Sequence, residues 1–299
     1  MRRNKVKNSV YEKTFDVFIH LFLIIIAIAT LYPFLNVLAI SLNDSTDALR
    51  GGIGIWPRMF TTRNYYEVFN YQNIPMAFRN SVLRTVIGTA LGLIITAMVA
   101  YTISRKDFVA RKFVSTLFLI TMYVSGGMIP GYMLIRSLHL MGTFWVYIIP
   151  MLISPFNLFL IRSYIDGIPE SLTESAMIDG ANDITIFFKI IFPLLKPVLA
   201  TVGLMIAVGH WNAWFDVYLY SLNKPQLSTL QFELQKILQN ASATASAAAN
   251  SNPELAGDIV YPQTIRMTIT VVASLPIIVV YPFIQRYFVQ GLTIGAVKG

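Results

Sequence analysis

Leu21 to Ile40 contains no charged residue and is long enough to cross a bilayer as one helix, and further apolar segments follow it along the chain. A backbone surrounded by lipid must satisfy its own polar groups, which restricts such segments to helices unless they close into a barrel. The segments are read at about 16–40, 80–104, 113–134, 143–165, 197–222 and 264–288. The expected fold class is therefore all-α, an integral membrane protein with six transmembrane helices. Composition agrees, since 55% of residues are hydrophobic and only 13% charged, about half the charge of an ordinary soluble domain.

Residues 1–15 form a basic leader with Arg2, Arg3, Lys5, Lys7 and Lys13, and residues 16–299 form the six-span domain. The leader followed by an apolar run resembles a signal peptide, but the run is long enough to span and no small-residue cleavage pattern follows closely, so it is read as a retained first span. Pro33 is expected to kink that span. The second carries a small face of Gly88, Ala90, Gly92 and Ala97 suited to close helix packing. The third is expected to break near Ser125-Gly126-Gly127 and Pro130-Gly131, the fourth at Pro150 and Pro155, and the sixth contains Pro276 and Pro282. Polar segments at about 41–79 and 223–263 read as external loops. Trp56, Tyr65 and Tyr66 suit a membrane-interface belt in the first, and a low-complexity tract from Ala241 to Asn252 lies in the second. Lys and Arg cluster in the leader, after the second span, after the fourth and in the tail, which places both termini and the segment at about 166–196 in the cytoplasm. The net charge of +8 is dispersed between apolar runs, so it describes orientation in a membrane and not nucleic-acid binding.

Glu170 to Pro193 reads as two short helices. Pro169 suits a first helical turn, Glu170 places negative charge at its positive end, and Gly180 terminates it. Asp183 is expected to cap a second helix that stops before Pro193. Two helices turning on a glycine between spans look like a docking surface.

Glu174-Ser175-Ala176, Gly180, Ile190 and Phe192-Pro193, at this spacing, resemble the EAA loop of ATP-binding-cassette importer permeases. Ser175 stands where that family usually has Ala, and Phe192 where it has Leu. Asp179-Gly180-Ala181 and Pro197 suit the carbohydrate branch. Asn80-Ser81, Tyr101, the stretch from Asn157 to Arg162 and the ending from Phe288 to Gly299 extend the likeness over nearly the whole chain. Ser125 to Pro130 and Val280 to Phe283 look closest to the oligosaccharide subgroup that includes the alginate importer and LplC-like proteins.

The resemblance implies a type I ABC importer permease fold in a bacterial cytoplasmic (inner) membrane. The implied partners are a second homologous permease subunit, a homodimeric or heterodimeric ATPase that binds ATP and Mg, an extracytoplasmic solute-binding protein, an oligosaccharide and membrane lipid. It implies that Glu174 and Asp179 make polar contacts to the ATPase, that Ala176 and Gly180 allow close approach, and that Phe187 and Phe188 fill an apolar groove. Ser175, Ala181 and Pro193 complete the coupling set, and Gly295, Lys298 and Gly299 are candidates for a tail contact to the same ATPase.

No GxxxxGK[ST] loop is present, so ATP hydrolysis is expected from a partner and no cofactor from this chain. His20, His139 and His210 are far apart, with no metal-binding or nucleophilic constellation, and there is no cysteine. The chain is expected not to be an enzyme. In the fifth span, His210 lies roughly 20 Å along the helix from Pro197 at about 1.5 Å per residue, and it shares a face with Trp214. Aromatic faces beside hydrogen-bonding groups suit a sugar, so Asn157, His210, Trp211, Asn212, Trp214 and Asp216 are candidates for a substrate path. Alternative expectations are an ion-coupled secondary transporter and an importer permease for a non-sugar solute.

Overall fold

The computed structural model describes residues 10–70, 73–237, 239 and 262–296. Arg2, Arg3, Lys5, Lys7, the tract from Ala241 to Asn252, Lys298 and Gly299 lie outside the described residues. The described residues are helical apart from turns and one isolated bridge between Asn43 and Phe60. The chain divides into two compact units, residues 1–70 with 237–272 and residues 71–236 with 273–299.

In the first unit, α1 (Val10–Ser41) runs through Pro33 without ending there. The loop after it is held by side chains that take over backbone hydrogen bonding. Asp44 accepts from the Thr46 and Asp47 amides and so caps the short helix Ser45–Ala48. The Asn64 amide donates to the carbonyls of Ser41 and Asn43, at 2.9 and 2.8 Å. Arg58 pairs with Asp47 at 3.0 Å. Trp56 and Tyr66 remain exposed, whereas Tyr65 turns inward to the Ser41 hydroxyl.

The second unit is built on α2 (Ile74–Ser104). Ala77, Ser81, Arg84, Gly88, Gly92, Thr96 and Ala100 recur at three- and four-residue steps and are all buried. Small residues in that stripe let neighbouring backbones approach closely. The rest of the unit is α3 (Arg111–Tyr123), α4 (Met128–Ser137), α5 (Pro155–Ile165), α6 (Ser171–Ile178), α7 (Asp183–Ile186), α8 (Lys196–Asn212), α9 (Phe215–Ser221) and α10 (230–237). α8 and α5 pack most extensively on α2. At the α2–α8 crossing, Gly92 lies against Ile206 and Gly203 lies against Leu93. The last helix, α11 (Pro262–Ala296), continues through Pro276 and Pro282.

Among the described residues, three helices are long and apolar enough to cross a membrane: Thr14–Ser41, Ile74–Ser104 and Gln263–Val280. Phe144–Met151 with Pro155–Ile165, bent by 49°, and Asp183–Leu194 with Lys196–Asn212, bent by 82°, each qualify only as a pair. The third apolar segment is divided at Val124 to Gly127 into α3 and α4, where Gly127 has φ +88°. The fourth segment is interrupted ahead of Pro155, and the Leu152 carbonyl there accepts from the Thr96 hydroxyl at 3.2 Å.

The fifth segment contains a break the sequence did not announce. α8 ends at Asn212 and α9 begins at Phe215, with Ala213 extended at ψ 125°. No proline or glycine lies at the break. Its stabilisation comes from α2, because Arg84 Nη1 donates to the Ala213 carbonyl at 3.2 Å.

Candidate functional site

α6 and α7 meet at a turn whose geometry accounts for Gly180. Gly180 has φ +79°, a conformation that costs every residue with a Cβ. Its amide donates to the Met177 carbonyl at 2.9 Å, and the Ala181 amide donates to the Ala176 carbonyl at 3.0 Å. These two bonds form a Schellman motif that satisfies the last carbonyls of α6. Ala176 is buried and Ala181 packs on the same apolar cluster, which supplies the contact such a turn requires.

The cap of α7 differs from expectation. Asn182, and not Asp183, accepts the Thr185 amide, at 2.8 Å, because Asn182 is the last residue in extended conformation. Asp183 is freed to pair with Arg105 at 3.0 Å. The helix also does not stop before Pro193. It widens into a π-helical turn at Phe187–Ile191 and continues through Phe192–Leu194. The Phe192 amide reaches back to the Phe187 carbonyl, and this looser turn precedes a proline whose ring would meet a carbonyl in a regular helix.

Glu174, Ser175, Asp179, Gly180 and Pro193 are exposed. The two phenylalanines separate. Phe187 is 3% exposed and packs inward against Tyr101 with ring centroids 5.5 Å apart, so it cannot fill a partner's groove; Phe188 is 45% exposed and faces outward. Beside these helices a cavity of about 680 Å³ is lined by the end of α2, residues 105–111, the end of α5 and α6. Lys106 bridges to Glu170 across this region, and that hydrogen bond raises the Lys106 pKa above its ordinary value. Arg105 holds the Asp107 carboxyl below its ordinary value through paired hydrogen bonds of 2.8 and 2.6 Å.

The candidate path residues occupy different surroundings. His210 is 1% exposed and its ring lies over Gly88. Its Nδ1 has no hydrogen-bond partner among the described residues. Trp211 is buried and donates to the Ala273 carbonyl at 2.8 Å. Asn212 is exposed and accepts from Gln231 at 3.2 Å. Trp214 is half-buried with its ring edge-on to Phe215, and Asn157 is buried on α5. Asp216 pairs with Arg84 at 2.5 Å. The Arg84 side chain is fully buried and its guanidinium carbon lies 4.8 Å from the centroid of the Tyr147 ring. Arg84 was missed from sequence, although a lone arginine in one apolar segment and a lone aspartate in another are a signal that they pair. The Gly295 side of the tail is helical backbone.

The His210–Gly88 contact makes a local prediction. A Cβ at residue 88 would lie 2.4 Å from His210 Nε2, so Gly88→Ala is expected to destabilise by about 1–3 kcal/mol through overpacking. Adding His210→Ala should recover most of the lost melting temperature, measured on purified protein in detergent.

Comparisons with known proteins agree on one family. Residues 1–294 match the family described as binding-protein-dependent transport system inner membrane component. The polygalacturonan/rhamnogalacturonan transport system permease protein YtcP of Bacillus subtilis is 36% identical over 289 residues, covering 96% of this chain and 99% of that protein. Protein LplC of Bacillus subtilis is 36% identical over 292 residues, covering 98% of this chain and 97% of LplC. A solved structure, a bacterial ABC transporter involved in the import of the acidic polysaccharide alginate, matches with a TM-score of 0.80 at 29% identity, covering 94% of this chain and 99% of that one.

Proposed function

Because the chain belongs to the family of binding-protein-dependent transport system inner membrane components, and so is a permease component of an ABC importer and not an enzyme, we propose that it conducts an oligosaccharide inward when a separate ATPase acts on α6 and α7. The observation that carries this reading is the exposed set Glu174, Ser175, Asp179 and Phe188 on two short helices joined by the turn at Gly180. In this reading the chain spans the inner membrane six times, with α3 and α4 forming one broken span and both termini in the cytoplasm. Arg105, Lys106 and Arg111, which line the cavity beside α6, support that orientation, since cytoplasmic loops are rich in Lys and Arg. ATP and Mg belong to the ATPase pair, a second permease subunit completes the path, and an external solute-binding protein delivers the cargo.

Glu174, Ser175, Asp179 and Phe188 meet the ATPase, with Gly180 allowing close approach; Ala176, Ala181 and Phe187 hold this surface from behind. The tail from Gly295 through Lys298 and Gly299 reaches toward the same partner. Asn212 and Trp214 line the sugar path, backed by Asn157, His210, Trp211 and Asp216. The likeness to the alginate importer favours an acidic oligosaccharide.

Affinity-tagged chain isolated from its native membranes should bring down an ATPase and a second permease. The reconstituted complex with its binding protein should take up labelled alginate oligosaccharides only with internal ATP. Uptake by the isolated chain under an ion gradient would contradict the reading.

A further inference from the structure

We infer that Arg105 is a positioning residue that fastens α7 to the end of α2, so that the two move as one body and α2 receives the motion of the docked ATPase. This rests on the coupling reading of α6 and α7 and adds to it which span takes up the displacement.

The attachment has two rungs. Arg105 meets Asp183 at 3.0 Å, and Tyr101 meets Phe187 with ring centroids 5.5 Å apart. Tyr101 and Arg105, the residue that caps the end of α2, are four apart, as are Asp183 and Phe187, the residue that caps the end of α7, so the two rungs lie about one helical turn from each other. A pair of rungs resists rotation that a single contact would permit. Arg105 also donates to the Tyr101 hydroxyl at 3.2 Å, and its guanidinium carbon lies 5.9 Å from the centre of the same ring. Its remaining nitrogens are held by Asp107. The guanidinium is thus fixed in plane by three residues, a geometry that its fork supports and an ammonium does not. The next residue, Lys106, ties to Glu170 at the start of α6. Residues 101–106 therefore hold both short helices. The Arg105 side chain is 18% exposed, but its carboxylate partners Asp107 and Asp183 are open to water at 67% and 70%. Ion pairs to solvated carboxylates contribute little to stability, so this arrangement fixes relative position and is expected to change the melting temperature only slightly.

The chain contains no cysteine, so spin labels can be placed at Val109→Cys and Ile184→Cys, both exposed, in the full complex with cysteine-free companion subunits. Electron–electron distances are measured without nucleotide and with ATP and vanadate. The parent chain should give one narrow distribution that is the same in both states. Arg105→Ala should broaden it and shift its centre by several ångströms when nucleotide binds, with several-fold less alginate oligosaccharide transported per ATP. Asp183→Ala should reproduce this, the double variant should be no worse, and Arg105→Lys should recover only part. A distribution in Arg105→Ala that stays narrow and nucleotide-independent while the ATPase remains bound would overturn the clamp alone. So would a parent distance that changes with nucleotide. Failure of the ATPase to co-purify with the parent chain would instead remove the docking reading.

Discussion

Gly180→Val is expected to abolish most transport while leaving membrane insertion and abundance unchanged. Residue 180 sits at φ +79°, and a Cβ built there meets nothing within 4 Å, so within this chain the substitution creates backbone strain and no clash. Left-handed backbone costs an L-residue roughly 1–2 kcal/mol, and a β-branched side chain suffers most. That strain is enough to depopulate the Schellman turn by roughly 5–30-fold, which frees the Ala176 and Met177 carbonyls and lets α6 swing relative to α7. Gly180→Asn separates the two ways the glycine can matter, because asparagine tolerates this conformation. If the turn's backbone is what matters, asparagine retains most uptake while valine loses it. If close approach of a partner matters, both fail and ATPase recovery falls with them. Unchanged uptake in Gly180→Val would remove α6 and α7 from the coupling mechanism.

The second large effect is expected at Arg84. Arg84→Met leaves the largely buried Asp216 carboxylate with the Val217 amide in place of its cation, strips the Ala213 carbonyl of its donor and removes the cation from the Tyr147 face. Breaking a buried ion pair from one side costs about 3–5 kcal/mol, so the variant should lose most folded protein in a detergent melt monitored by size-exclusion chromatography. Replacing both partners, Arg84→Met with Asp216→Leu, should recover much of that loss, because the unpaired charge is then gone. Arg84→Lys should fall between them, since an ammonium cannot serve the carboxylate and the Ala213 carbonyl with the same fork. Normal stability of Arg84→Met would show that the break between α8 and α9 is held by something else.

These two sites differ in how much of them could be read from sequence. Gly180 followed a clear helical stretch and preceded an Asx pair, so local punctuation was enough to place the turn. Which of Asn182 and Asp183 caps α7 depends on a single backbone torsion and on Arg105, which is 78 residues from Asp183. Phe187 and Phe188 are indistinguishable as letters; burial of one follows from where Tyr101 stands. The interruptions ahead of Pro155 and at Ser125-Gly126-Gly127 were legible because proline and glycine mark them. The break after Asn212 was not, because the group that stabilises it comes from α2, 129 residues away. The same limit governs the path candidates. Spacing put His210 and Trp214 on one face of one helix, but extended Ala213 ends α8 before Trp214, and the small face of α2, with Gly88 beneath the imidazole, determines that His210 is covered while Asn212 is open.

The most direct test of the account uses the lack of cysteine in the chain. Ile178 is 85% exposed at the end of α6, and Ile178→Cys can be treated with a membrane-impermeant maleimide in intact cells and in inverted membrane vesicles. The account predicts labelling only in inverted vesicles, with protection when the ATPase is bound and recovery of labelling when it is stripped away. Labelling in intact cells, or labelling in inverted vesicles that is indifferent to the ATPase, would contradict it.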